Sequence, residues 1–209
     1  MLIALYDRAN RATWWHGIIL LIVFAACVGG LDWREKWQEQ KLGRAVTLLD
    51  VRFRYAAAEV HELFKELGAQ GRQIYAATEL TLDLVFPLTY GAILVICLAR
   101  LSGREIGRYL VIFPAVTVVA DLLENLAVVC LLWSYQEQTS SRLWSALAWT
   151  GAKFTATKWV FALASVLTVL VTAIVAARKF VTYGYLLQIP LLIALAMVVY
   201  LLAKITSFV

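Results

Sequence analysis

The chain has 209 residues, of which 62% are hydrophobic and only 16% are charged, and its mean hydropathy is +0.77. A water-soluble domain does not carry so large an apolar fraction, so the composition excludes that class. Several apolar runs reach the roughly 18–20 residues that cross a bilayer as a helix. The net charge of +5 comes from lysines and arginines scattered along the chain without a basic stripe, which argues against nucleic acid as a partner. We therefore predict a multi-pass membrane protein.

Hydropathy predicts an all-α, polytopic membrane helical bundle of about five transmembrane helices. The predicted spans are residues 14–31, 78–101, 109–133, 154–177 and 185–205. The chain then divides into three parts. These are an N-terminal segment with the first span (1–31), an extracytoplasmic cap (32–77) and a four-helix transmembrane region (78–209).

Basic residues orient the predicted spans. They precede the first span, crowd the link between the second and third, and follow the fourth; they are Arg8, Arg11, Arg100, Arg104, Arg108, Arg178 and Lys179. With five spans these three sites fall on one side, which the positive-inside rule assigns to the cytoplasm. We predict a bacterial inner-membrane protein with a cytoplasmic N-terminus and an extracytoplasmic C-terminus.

The first span ends near a cysteine that needs separate interpretation. The run VFAAC, ending at Cys27, resembles a bacterial lipoprotein cleavage signal, but Phe24 stands where such signals prefer Leu, Val or Ile. We interpret the run as a retained helix and not as a lipidation site. All three cysteines lie in apolar runs, where they are expected as buried apolar side chains.

The cap is predicted to be partly helical. DWREKWQEQKLG is expected to form a short surface helix with Asp32 as its N-cap and Gly43 beyond its end, and VRFRY a short extended piece. AAAEVHELFKELGAQG predicts a clearer helix that Gly68 ends, because its apolar residues recur at i, i+3, i+4 and i+7. That stripe consists of Val60, Leu63, Phe64 and Leu67.

Polar residues interrupt the third span. Asp121, Glu124 and Asn125 are spaced i, i+3 and i+4, so their side chains share one helical face. Lipid offers no hydrogen-bond partners, and a carboxylate among acyl chains costs several kcal/mol. We therefore expect this face to point into the bundle.

The second span carries its own polar stripe, at Glu79, Asp83, Pro87 and Tyr90. Pro87 has no backbone N–H, so the carbonyl of Asp83 loses its helical hydrogen bond and becomes available to another donor. The fourth span supplies Lys158, which is the natural partner for the acids.

The predicted topology brings these side chains to the same half of the bundle, with Arg72 and Tyr75 above them. The predicted ligand-binding residues are Asp83, Tyr90, Asp121, Glu124, Asn125, Lys158, Arg72 and Tyr75. The acids exceed what one lysine neutralises, which favours a binding site over a purely structural clamp. We predict no metal and no cofactor, because the Asp-x-x-Glu pair lacks the further carboxylates or histidines of a typical ion site.

Three short motifs, GR-x-x-Y at 71–75, LD-x-x-FP-x-x-Y at 82–90 and D-x-x-EN at 121–125, together resemble a group of uncharacterised bacterial multi-pass membrane proteins. The likeness covers roughly residues 48–177. It implies an architecture and no chemistry, and the fifth span is expected to be an addition peculiar to this chain.

Three functional hypotheses follow from the polar residues. The first is an intramembrane pocket, open to the outer leaflet, that binds an amphipathic small molecule or a lipid headgroup. The second is a lipid-modifying enzyme that uses a buried carboxylate as general acid or base. The third is a structural or assembly subunit in which the polar residues clamp helices together. Membrane lipids are expected partners in each case, and a membrane-protein partner or a homo-oligomer is left open.

Overall fold

The structure is a computed structural model that describes residues 1–136 and 141–179, with side chains to residue 176. It has seven α-helices and one 3₁₀ turn in the described residues. The helices are α1 (Leu2–Asn10), α2 (Trp14–Leu42), α3 (Ala57–Glu79), α4 (Leu82–Leu101), α5 (Arg104–Leu110), α6 (Ile112–Trp133) and α7 (Arg142–Lys179), and the 3₁₀ turn is Leu49–Val51. The described residues contain no strand; at VRFRY, Val51 closes the 3₁₀ turn and Arg52 has an extended backbone, so the expected extended piece does not form a strand.

Four stretches of the described residues are long and apolar enough to cross a membrane. They are Trp14–Leu42, Ala57–Leu101, Arg104–Trp133 and Arg142–Ala176. This confirms an all-α helical bundle of the multi-pass membrane type. The fifth predicted span, 185–205, lies outside the described residues.

The first span continues without a break into the region predicted as a separate surface helix. α2 runs for 29 residues, and Asp32 lies within it and not at an N-cap, so that prediction is wrong. The residues after Leu31 are polar but favour helix, because Arg, Glu, Lys and Gln all have high helix propensity. Gly43 follows the last turn with φ +67°. Helices often end in this left-handed conformation, which glycine adopts without steric strain because it has no Cβ.

One face of α2 is buried from Cys27 to Gln38, on both sides of the predicted span end at Leu31. Its buried residues are Cys27, Leu31, Arg34 and Gln38, spaced i, i+4, i+7 and i+11. The polar end of the helix is therefore packed inside the protein, and it carries an arginine with it.

α3 contains a kink at Gly68, whose φ is +63° and ψ −178°. The predicted helix end is thus a break, after which a second helical segment resumes. The predicted apolar stripe at 60–67 is buried on one side of this kink. It packs in a hydrophobic core with Leu48, Leu49, Tyr75, Leu131 and Trp144.

The chain forms two compact units. Among the described residues, the first comprises 1–20, 90–116 and 160–179, and the second comprises 21–89, 117–136 and 141–159. The core just described belongs to the second unit, as do the buried acidic residues.

Candidate functional site

The second unit buries five carboxylic acids around two cationic side chains. We call this set the acid cluster; it comprises Arg34, Asp50, Glu79, Asp83, Asp121, Glu124 and Lys158. Each residue is at most 8% exposed. These are also the only Asp, Glu, Lys and Arg residues that are buried among those the structure describes.

Arg34 binds three acids at once. Its Nη2 donates to Asp50 Oδ2 at 2.8 Å, and its Nη1 lies 3.3 Å from both Glu79 Oε1 and Asp83 Oδ2. The carboxylate oxygens of these three acids lie within 4.8 Å of one another, a spacing that would also suit a metal ion. The guanidinium contacts all three, so it already supplies the positive charge that a metal would bring.

Lys158 binds the other two acids. Its Nζ donates to Asp121 Oδ1 at 3.0 Å and forms an ion pair with the Glu124 carboxylate. Glu124 also accepts a hydrogen bond from Thr155 Oγ1 at 2.6 Å. Asp121 and Glu124 are one helical turn apart on α6, so a single ammonium group on α7 can contact both.

Asp50 connects the two halves of the acid cluster. Its carboxylate binds Arg34, while its backbone carbonyl accepts a hydrogen bond from Lys158 Nζ at 3.0 Å. Tyr75 holds the same segment, because its hydroxyl donates to Asp50 Oδ1 at 3.3 Å and accepts from the Leu49 N–H at 3.1 Å. The 3₁₀ turn at 49–51 thereby places one acid between the two cations.

The surrounding charges and burial shift the pKa of two groups in the α2–α3 connection, Asp50 and Tyr55. Burial disfavours the ionised form of Asp50, but Arg34 and Lys158 outweigh it and hold the pKa of that carboxyl below its usual range. Burial, followed by the charge of Glu124, raises the pKa of Tyr55. The Tyr55 hydroxyl faces Gly151, where an added Cβ would lie 2.6 Å from it, so α7 approaches this connection closely.

The carbonyl freed by Pro87 is used within the second unit. Asn125 Nδ2 donates to the backbone oxygen of Asp83 at 2.6 Å. A helical N–H at position 87 would normally occupy that oxygen, and proline has none. The proline in α4 and the amide in α6 therefore act as a matched pair.

The buried charges do not balance. Five acidic side chains face two cationic ones, an excess of three negative charges if all are ionised. Glu79 Oε2 is buried without a hydrogen-bond partner. Burying an uncompensated carboxylate costs several kcal/mol even after relaxation of its surroundings. The excess must therefore be offset by bound protons or by a bound cation.

Most of the predicted site residues meet in the acid cluster or touch it. Asp83, Asp121, Glu124 and Lys158 belong to it, and Tyr75 and Asn125 donate hydrogen bonds to Asp50 and Asp83. Their role in binding a ligand stays a prediction.

Arg72 and Tyr90 are not members of the acid cluster. The sequence predicts Arg72 above the acids; in the structure its guanidinium donates to the Phe64 carbonyl at 2.7 Å and lies over the Tyr135 ring at 4.5 Å. The kink at Gly68 accounts for this, because it brings the last turn of the preceding segment within reach of Arg72. Tyr90 is buried but falls in the first unit, so we do not include it in the acid cluster.

Sequence reasoning missed Arg34 and Asp50, and it noticed Glu79 without assigning it to the site. Hydropathy ends the first span at Leu31, which puts Arg34 on the predicted surface helix. The available signal was its position at i+7 from Cys27 and i+3 from Leu31 on a continuous helix. Asp50 is an acid between apolar neighbours in TLLDV, a weaker signal.

Comparison of the chain with protein-family models, curated proteins and solved structures gave no match. The resemblance carried by the three short motifs therefore stays a prediction.

We expect Arg34→Met to destabilise the protein strongly, because it leaves three buried acids without their cation. Removing one partner of a buried ion pair typically costs about 3–5 kcal/mol. The control is Lys36→Met on the same helix, which breaks an exposed ion pair with Asp32. Thermal unfolding in mild detergent measures both variants. A similar small shift in the two midpoints would contradict the assigned role of Arg34.

We expect the effects of Asn125→Ala and Pro87→Ala to be coupled. Asn125→Ala alone leaves the Asp83 carbonyl buried and unsatisfied, at a cost of about 1–3 kcal/mol. In the Pro87→Ala background the new N–H can occupy that oxygen, so the same Asn125→Ala change should cost less. A double-mutant cycle on unfolding midpoints measures the difference. Purely additive effects would show that the two residues act independently.

Proposed function

We propose that this multi-pass membrane protein binds the cationic headgroup of an amphipathic molecule or lipid at the acid cluster. The observation that carries the proposal is the excess of five buried acids over two buried cations. A third positive charge, brought by a ligand, would reduce this excess from three charges to two, whereas a neutral ligand would leave it unchanged. The apolar helices of the bundle provide a matching environment for the ligand's hydrocarbon part.

Partial exposure within the acid cluster supports a route for such a headgroup. The side chains of Asp50, Asp83 and Lys158 are 7–10% exposed, while those of Glu79 and Glu124 are at 0%. A headgroup would therefore meet Asp50 and Asp83 first, beside Arg34. Without a ligand, protons on some of the acids would offset the same charge, and binding of a cation would release them.

A second candidate function is a helix clamp in a structural or assembly subunit. It is favoured by the contacts themselves, because each of the five acids touches Arg34 or Lys158. Those contacts join α2, the α2–α3 connection, α3, α4, α6 and α7. The enzymatic alternative stays a prediction from sequence, and so do the bacterial inner membrane and the orientation.

The two functions differ in their response to a cationic amphiphile. We expect a long-chain alkylammonium to raise the unfolding midpoint of the purified protein and the uncharged alcohol of the same chain length to leave it unchanged. Asp83→Asn and Glu124→Gln should abolish the alkylammonium effect. Glu62→Gln, an exposed acid on α3, should retain it.

Native mass spectrometry of the same samples shows whether a molecule co-purifies with the wild type and is lost from the two cluster variants. Equal shifts with the alcohol and the alkylammonium would overturn the binding proposal. If the cluster variants also unfold at much lower temperature with no species lost, the helix clamp is the function to pursue.

A further inference from the structure

The first unit concentrates arginines of its own. Two of its segments, 1–20 and 90–116, contain five arginines and only two acids, Asp7 and Glu105. We call this set the arginine surface; it comprises Arg8, Arg11, Arg100, Arg104 and Arg108. Together, these five arginines and the two acids give the two segments a net side-chain charge of +3.

Contacts within the first unit bring these arginines together. Arg100 donates to the Ala12 carbonyl, next to Arg11, and Arg104 lies 3.6 Å from Asp7, next to Arg8. Arg108 is one turn beyond Arg104 on α5. The packing is fixed by Tyr6, a buried residue of α1 whose hydroxyl donates to the carbonyls of Ala99 (3.3 Å) and Ser102 (3.2 Å) at the end of α4.

Gly107 shows how closely α1 and α5 pack. A Cβ at this position would lie 2.5 Å from the Tyr6 ring, so only glycine leaves room for it. The arginines of α1 and α5 therefore stand on two helices in close contact.

Large apolar side chains are exposed on the same segments. Trp14 and Trp15 stack on each other at 3.6 Å between ring centroids and are 63% and 57% exposed. Ile106 and Tyr109 of α5 are 64% and 62% exposed, and the Arg108 guanidinium lies over the Tyr109 ring. Indole and phenol rings favour the headgroup level of a bilayer, where one side is apolar and the other wet.

We propose that the arginine surface binds the phosphate of an anionic phospholipid, with the acyl chains against the exposed aromatic and aliphatic side chains. Guanidinium groups match phosphate oxygens in geometry and charge, and they keep their charge at any physiological pH. A soluble phosphate compound would use the arginines and leave the tryptophans and Ile106 without a role. The adjoining apolar side chains therefore favour a lipid. This inference does not depend on the acid cluster.

The test is lipid titration of the intact protein in mild detergent, followed by native mass spectrometry. The probes are phosphatidylglycerol and phosphatidylcholine with identical acyl chains. The wild type should bind phosphatidylglycerol more tightly. Replacing Arg8, Arg11 and Arg104 together by Gln should weaken phosphatidylglycerol binding about tenfold or more, and leave phosphatidylcholine binding unchanged.

The matched control replaces Arg44, Arg54 and Lys65 by Gln, which removes the same charge from exposed positions in the second unit. It should leave phosphatidylglycerol binding unchanged. If the control weakens phosphatidylglycerol binding equally, net charge alone explains the effect and the proposal is overturned. Equal binding of the two lipids by the wild type would also overturn it. If the triple variant unfolds, Arg11→Gln alone is titrated instead, and a fully retained phosphatidylglycerol preference then overturns the proposal.

Discussion

The second unit depends on one constraint, the need to compensate five carboxylates buried together. Arg34 and Lys158 offset two of the five charges, and between them they contact all five acids. Such an arrangement is weak evidence for stability, because desolvating the charges costs about as much as their attraction returns. It instead fixes which helices meet, since an acid without its cation would leave an uncompensated buried charge. The remaining excess of negative charge is what makes a purely structural explanation incomplete.

Asp50 shows how this constraint reaches beyond the helices. It lies in the connection between α2 and α3, yet it binds a cation from each side, through its carboxylate to Arg34 and its carbonyl to Lys158. Tyr75 fixes the same turn through the Leu49 N–H. A ligand that displaced Arg34 or drew charge from Asp50 would therefore loosen the connection as well as the acids. Binding at the acid cluster and ordering of this connection would be coupled.

Periodicity predicted much of this arrangement, because helical spacing determines which side chains share a face. It identified Asp121, Glu124 and Asn125 as an interior face, and the proline rule identified the free carbonyl that Asn125 binds. Hydropathy failed at Arg34, because it reports the preferred solvent of a segment and not where a helix ends. Neither hydropathy nor periodicity predicted that Asp50 belongs to the acid cluster. Asp50 lies in a connection between helices, and such a connection has no periodic pattern that relates it to distant residues. Periodicity also gave no sign of the contacts of Arg72 with Phe64 and Tyr135, because these contacts depend on the kink at Gly68.

The protonation state of the acid cluster at neutral pH shows how its excess negative charge is offset. Infrared spectroscopy separates the carbonyl stretch of a protonated carboxylic acid from the stretches of ionised carboxylates. In the ligand-free protein we predict a buried carboxylic-acid band that decreases in Glu79→Gln or Asp83→Asn and persists in Glu62→Gln. Adding a long-chain alkylammonium should diminish the band as protons leave. Fully ionised carboxylates in a protein that holds no bound cation would contradict the account, because nothing would then offset the excess charge.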